Sequence, residues 1–202
     1  MAKRPPAPEP ADLRRRILDT AESVLEEAGV AALSMREVAR RAGVTHQAPY
    51  HHFADRETIL AELVTHGFDE LTRRLARANE RAALDGRRTL VIESGLAYVG
   101  FALDHPGVFR IMFRPDVCDP TRFPEAMAAG DRAHGELGRL VRLMHDERYT
   151  EALASGYWAQ VHGLACLFVD GPLGQHLPGA RERRTHAREV LGLMADGVLA
   201  AR

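Results

Sequence analysis

Several chemistries are excluded by what this 202-residue sequence holds little of. It has two cysteines, Cys118 and Cys166, far apart and outside any C-x-x-C spacing, so neither a disulfide framework nor a cysteine-rich zinc site is indicated. Catalytic signatures are missing as well: there is no H-E-x-x-H, E-x-x-H, G-x-S-x-G or phosphate-loop motif. The adjacent His51 and His52 point to different sides of a helix and share a metal poorly. No catalytic residue, metal or cofactor is expected, which leaves a helical-bundle enzyme or metal-binding protein as the rival reading, resting on ten histidines and scattered carboxylates. No membrane span of ~18 apolar residues is expected, and the segment MAKRPPAPEP lacks the apolar centre of a signal peptide, so the expected location is the cytoplasm. A net charge of −1 argues against a surface that is basic throughout. Lysine is nearly absent too: Lys3 is the only one, and the cations are otherwise arginines.

What is present is helical patterning with 46% apolar residues, enough for a real core. Prolines at 5, 6, 8 and 10 make residues 1–11 an extended arm. Asp12 caps a first helix over about 12–28, in which Leu13, Ile17, Ala21, Val24, Leu25 and Ala28 share one face and Gly29 is the stop. Ser34 caps a second helix at about 35–42, with Glu37 completing an S-x-x-E capping box. After Gly43-Val44, Thr45 caps a short third helix from His46 to Phe53, which Pro49 should loosen by removing an amide. Asp55 caps a fourth, from Ile59 past Leu75 to about 82, long enough to join two domains. Five further segments, at 87–104, 106–113, 124–146, 149–169 and 180–201, complete an all-α fold of about nine helices, since no alternating strand pattern appears. The expected division is an arm at 1–11, a DNA-binding domain at 12–54 and a helical domain at 55–202.

Three short helices with a glycine turn before the third resemble a helix-turn-helix. The wording SMREVARRAGVTHQAPYHHFADRETIL, with its Ala42–Val44 turn and the aromatic pair Tyr50 and Phe53, is similar to the DNA-binding segment of the TetR family. The resemblance implies a ligand-responsive transcriptional regulator, by family default a repressor, that acts as a homodimer on double-stranded DNA. Residue chemistry fits. Ser34 and Thr45 bring helix N-termini and their amides to phosphates, and Arg36 and Arg56 extend that clamp. Thr45, His46, Gln47 and Ala48 lead the recognition helix, where Gln47 can pair with adenine and Ala48 or the Thr45 methyl can meet a thymine methyl. Tyr50, His51 and His52 face the sugar-phosphate backbone. Arg14, Arg15 and Arg16 oppose the helix dipole in the first turn, a placement that suits nearby phosphate.

The segments AYVGFALDHPGVFRIMFRP and GYWAQVHGLACLFVDGP resemble the C-terminal ligand domain of a TetR subgroup marked by Trp-x-x-x-His-Gly. Trp158, His162 and Cys166 fall on one helical face, and Phe101, His105, Phe109, Met112 and Phe113 supply an aromatic and Met-rich complement. The set reads either as a wall around a small apolar effector or as plain core packing. One short helix gives too little contact with DNA for useful affinity, so a two-fold dimer is expected. Its candidate faces are Gly156, Gln160, Gly163, Leu164 and Leu167 on one helix and Val190, Leu191, Met194 and Val198 on another.

Overall fold

The periodic apolar stripes become helices. The computed structural model describes residues 10–119 and 121–200, and every regular element among them is helical. Three helices lead: α1 (Pro10–Ala28), α2 (Met35–Arg41) and α3 (Arg56–Ala82). There follow α4 (Arg87–Asp104), α5 (Pro106–Met112), α6 (Pro124–His145), α7 (Glu151–Val169), α8 (Pro172–His176) and α9 (Ala180–Ala200). The expected arm, with Lys3 and Arg4, falls for residues 1–9 outside the described residues.

In α1 the stripe of Ile17, Ala21, Val24 and Leu25 is buried to 1% exposure or less. The helix starts at Pro10, so Asp12 lies inside the first turn instead of capping it. Ser34 does cap α2, its hydroxyl accepting from the Glu37 amide at 3.2 Å. The capping box closes only halfway, because the Glu37 carboxylate accepts from Arg40 and Arg41 instead of reaching back. Those two guanidiniums hold the Glu37 carboxyl down at about 2. Asp55 caps α3, taking the Thr58 amide and hydroxyl at 2.8 Å each, and these bonds hold its carboxyl below the ordinary value.

At 27 residues α3 runs ~40 Å at 1.5 Å per residue. Its first half meets α1, where Arg14 pairs with Glu62, and its second half packs against α4 and α6. α4 packs in turn on α7 and α9. The α4–α9 approach is close: a Cβ on Gly95 would stand 2.4 Å from Leu191 Cδ2.

One expectation changes. α7 is long and apolar enough to cross a membrane by length and composition, and much of it is exposed. Gly156, Gln160, Gly163 and Leu167 form an outward stripe on it, whereas Leu164 turns inward. On α9 Leu191 is likewise buried, and Leu193 is a large apolar residue left exposed, 74% accessible.

Candidate nucleic-acid interface and internal cavity

The third element of the N-terminal unit is not an α-helix. After α2 the chain turns at Gly43, whose φ of +66° suits glycine, with the Val44 amide bonding back to Ala39 at 3.1 Å. Residues Ala48–His51 then form a single 3₁₀ turn. Pro49 supplies the reason, since it has no amide to offer the Thr45 carbonyl. That carbonyl takes the Ala48 amide instead, at 3.0 Å, and the tighter spacing continues through Tyr50 and His52. The loosening expected at Pro49 therefore extends to the whole element.

The turn sorts its residues by side. Thr45, His46, Gln47, Tyr50 and His51 are exposed, with the His46 and Tyr50 rings 5.8 Å apart, and His52 is half-buried. Ser34 and Arg36 share this exposure, and Arg36 makes no ion pair among the described residues. Ala48 and Pro49 point inward with Phe53, so the Ala48 methyl packs the domain and is not presented to a thymine. Arg56 is also spent on the fold. Its guanidinium donates to the carbonyls of Leu33 at 2.7 Å and Val30 at 2.6 Å, closing the α1–α2 connection where a phosphate contact was expected. Arg14 is drawn off in the same way, pairing with Glu62 and standing 4.9 Å over the Phe53 ring. Arg15 and Arg16 remain exposed.

In the helical domain a cavity of about 250 Å³ lies among α3, α4, α6, α7 and α9. Its wall is almost wholly apolar, drawn from such residues as Leu71, Leu75, Val91, Leu137 and Met194. Phe113 and Trp158 border it, and Trp158, 38% exposed, belongs to its rim. His162 stands just behind the wall, its ring centroid 4.8 Å from Phe113 and 5.9 Å from Trp158. Tyr98 links the set: its hydroxyl accepts from Trp158 Nε1 at 3.3 Å and shares a hydrogen bond with His162 Nδ1 at 2.8 Å. Burial pushes the Tyr98 phenol above its ordinary value and the His162 imidazole below its own, so the phenol keeps its proton and the imidazole is held toward its neutral form.

The other expected wall residues go elsewhere. Phe109 is buried behind the wall, edge-on to Tyr98. Met112 packs on α3, where a Cβ on Gly67 would stand 2.9 Å from its sulfur. Phe101 is 1% exposed beneath the Arg74 guanidinium. His105 ends α4 and turns to α1, because the α4–α5 corner, where the chain bends at Pro106, abuts that helix. Ser94 and Tyr98, one turn apart on α4, line the cavity and were missed; two polar side chains at i, i+4 in an apolar helix were the available signal.

A latch joins the two sites. Glu26 of α1 accepts from the amides of Gly107 at 2.6 Å and Val108 at 3.2 Å, the first turn of α5. Here the elements nearly touch: a Cβ on Gly107 would stand 2.9 Å from the Glu26 backbone nitrogen. One turn earlier Glu22 meets His105 Nδ1 at 3.1 Å, which raises the imidazole pKa and lowers that of the carboxyl.

Residues 17–63 match the family model for bacterial regulatory proteins of the tetR family, and residues 91–191 match the tetracyclin repressor-like C-terminal domain. An uncharacterized HTH-type transcriptional regulator of Haemophilus influenzae is 27% identical over 184 residues, 89% of this chain and 86% of that protein. Among solved structures, a protein of unknown function from Rhodococcus sp. RHA1 is 33% identical with a TM-score of 0.72, covering 94% of both chains. PfmR, a TetR family transcriptional regulator from Thermus thermophilus, shares the fold at 22% identity with a TM-score of 0.67, covering 92% of this chain and 97% of that one. With one model spanning half of the sequence and a second matching the turn that exposes Thr45 to Gln47, the chain belongs to the TetR family, as a DNA-binding transcriptional regulator and not an enzyme.

Proposed function

We propose that this regulator is a repressor that works in the cytoplasm, holds a palindromic operator as a homodimer and leaves it when a small apolar molecule enters the cavity. Residues 12–54 act as the DNA-binding domain and 55–202 as the ligand and dimer domain. Ser34, Arg36, Tyr50, His51 and His52 serve phosphates, while Thr45, His46 and Gln47 enter the major groove. Two such edges must meet successive grooves ~34–36 Å apart, so a small rotation of either head misses one of them. The outward stripe of α7 and Leu193 on α9 supply the face on which a second copy packs, burying apolar surface that is open in the single chain.

The observation that carries this reading is the latch. Tyr98 lines the cavity on α4, which ends in His105 and leads directly into the α5 amides held by Glu26 of α1. A molecule that pushes on α4 therefore pushes on the element beneath the DNA-reading edge. By linkage, a ligand that weakens DNA binding must itself bind the DNA complex more weakly, by the same factor.

The test is fluorescence anisotropy with the DNA upstream of the protein's own gene, alongside sedimentation to give the oligomeric state. Specific binding by a dimer, reversed by an apolar compound that also alters Trp158 emission, is the expected result. Binding by a monomer, or release by compounds that leave Trp158 emission and cavity variants unaffected, overturns it.

A further inference from the structure

We infer that the cavity selects neutral molecules of roughly ten non-hydrogen atoms, an apolar body ending in one hydroxyl or carbonyl oxygen that seats between Ser94 and Tyr98. This rests on the effector reading above and gives it a chemistry. Size comes first. At about 250 Å³ the space exceeds the ~150 Å³ that holds benzene and falls short of the ~300–1,000 Å³ of drug-sized sites, so by proportion roughly ten carbons fit.

Charge comes second. The wall contains no arginine, lysine, aspartate or glutamate, although charged residues make up 27% of the sequence. Its one basic side chain, His134, is exposed. A carboxylate or an ammonium inside would leave water without meeting a counter-charge, which costs orders of magnitude in affinity.

The polar end is fixed by two hydroxyls on one face of α4. Four hydroxyls on α1 and α3 bond back to the carbonyl four residues earlier: Thr20 to Arg16, Ser23 to Asp19, Thr65 to Ala61 and Thr72 to Phe68. Ser94 makes no such bond and has no other partner among the described residues, though it is only 4% exposed and lines the cavity. A hydroxyl that opens to the cavity without a protein partner favours any ligand that supplies one. Tyr98, one turn on, accepts from Trp158 and shares one hydrogen bond with His162, so its hydroxyl keeps one further hydrogen-bonding place for a ligand oxygen. Ser94 donates to a ligand oxygen and Tyr98 has one place left, a pairing that an alcohol, donor and acceptor in one group, satisfies whichever way the Tyr98–His162 bond runs.

Trp158 emission of the full chain, titrated at pH 8, tests this with four probes of matched size: 1-nonanol, nonanoate, nonylammonium and butylbenzene. The expected order places nonanol at least tenfold tighter than either ion, with butylbenzene between. Ser94→Ala should weaken nonanol about fivefold and leave butylbenzene unchanged, while a thermal melt shows that the fold is kept. An ion that binds as tightly as nonanol, a wild-type protein that takes neither neutral probe, or a Ser94→Ala variant that treats nonanol and butylbenzene alike overturns the inference. Release of DNA is measured separately. Nonanol that shows the expected selectivity yet leaves DNA bound sinks the effector reading while the cavity chemistry stands.

Discussion

The DNA-reading edge and the cavity handle their polar groups in opposite ways. At the edge Thr45, His46 and Gln47 are exposed and their side chains make no hydrogen bond among the described residues, so their donors and acceptors are free for another molecule. At the cavity wall Trp158 and Tyr98 bond to each other and, through Tyr98, to His162 behind them, and most of what faces the interior is hydrocarbon. The first surface is built to be read through hydrogen bonds and charge, the second through shape and exclusion of water. On the proposed function, a single chain thereby answers two unrelated partners without either competing for the other's site.

The comparison breaks most readily on salt. If two heads touch some six phosphates, DNA affinity should fall about a thousandfold from roughly 50 to roughly 200 mM salt, whereas a neutral cavity ligand should bind equally well at both. Anisotropy at a series of salt concentrations measures the first, and a log-log slope near zero would remove phosphate from the account. Next in size is Tyr98→Phe, which deprives the Trp158 indole and the His162 ring of their shared partner. It should destabilise the protein by about 1–3 kcal/mol. Calorimetry reads this, and an unchanged melting temperature would show that the three groups are not a working chain.

Tyr50→Ala and His46→Ala should each lower DNA affinity by about 1–2 kcal/mol, roughly tenfold, without moving the melting temperature, because both side chains face outward. A Tyr50→Ala protein that unfolds would make the ring part of the core and erase the contrast at that end. The smallest effect is on pH. The Glu22 carboxylate raises the His105 imidazole pKa, so the pair's stabilisation is fully present below the unfolded histidine value of ~6.5 and is lost as pH rises through the higher folded one. Glu22 runs the other way, its share being lost as pH falls below the usual carboxylate range. Half-exposed as the pair is, the difference between pH 6 and pH 8 should be a few tenths of a kcal/mol. His105→Gln should flatten it in paired urea titrations.

The helices were legible wherever a cap and a periodic stripe coincided, as with Ser34 before α2 and Asp55 before α3. At the third element the sequence showed the cause, Pro49, without its reach. Losing one amide converts a helix of barely two turns, where a longer one would have absorbed it. Gln47 and His46 could be placed by their position ahead of that turn. Arg56 could not, because the carbonyls it finds lie 23 and 26 positions earlier, and Ala48 could not, because a 3₁₀ turn brings inward a residue that an α-helix would present differently. His105 was misplaced for a related reason. Spacing puts it on the Phe101 face of α4, but a residue at a helix end follows the corner, and the corner meets α1. The cavity drew walls from α3 and α6 because those helices pack together, and no stripe announces its partner.

Gly107 sets the mechanical tolerance of the whole device. The gap it leaves is smaller than one methyl group, so alanine there would act as a permanent wedge between α1 and α5. On the function proposed above, such a protein would be deaf to its signal from birth. It would still admit the ligand and pair with its twin, yet already stand in the posture proposed for the ligand-bound state, with one carbon atom serving as an irremovable inducer.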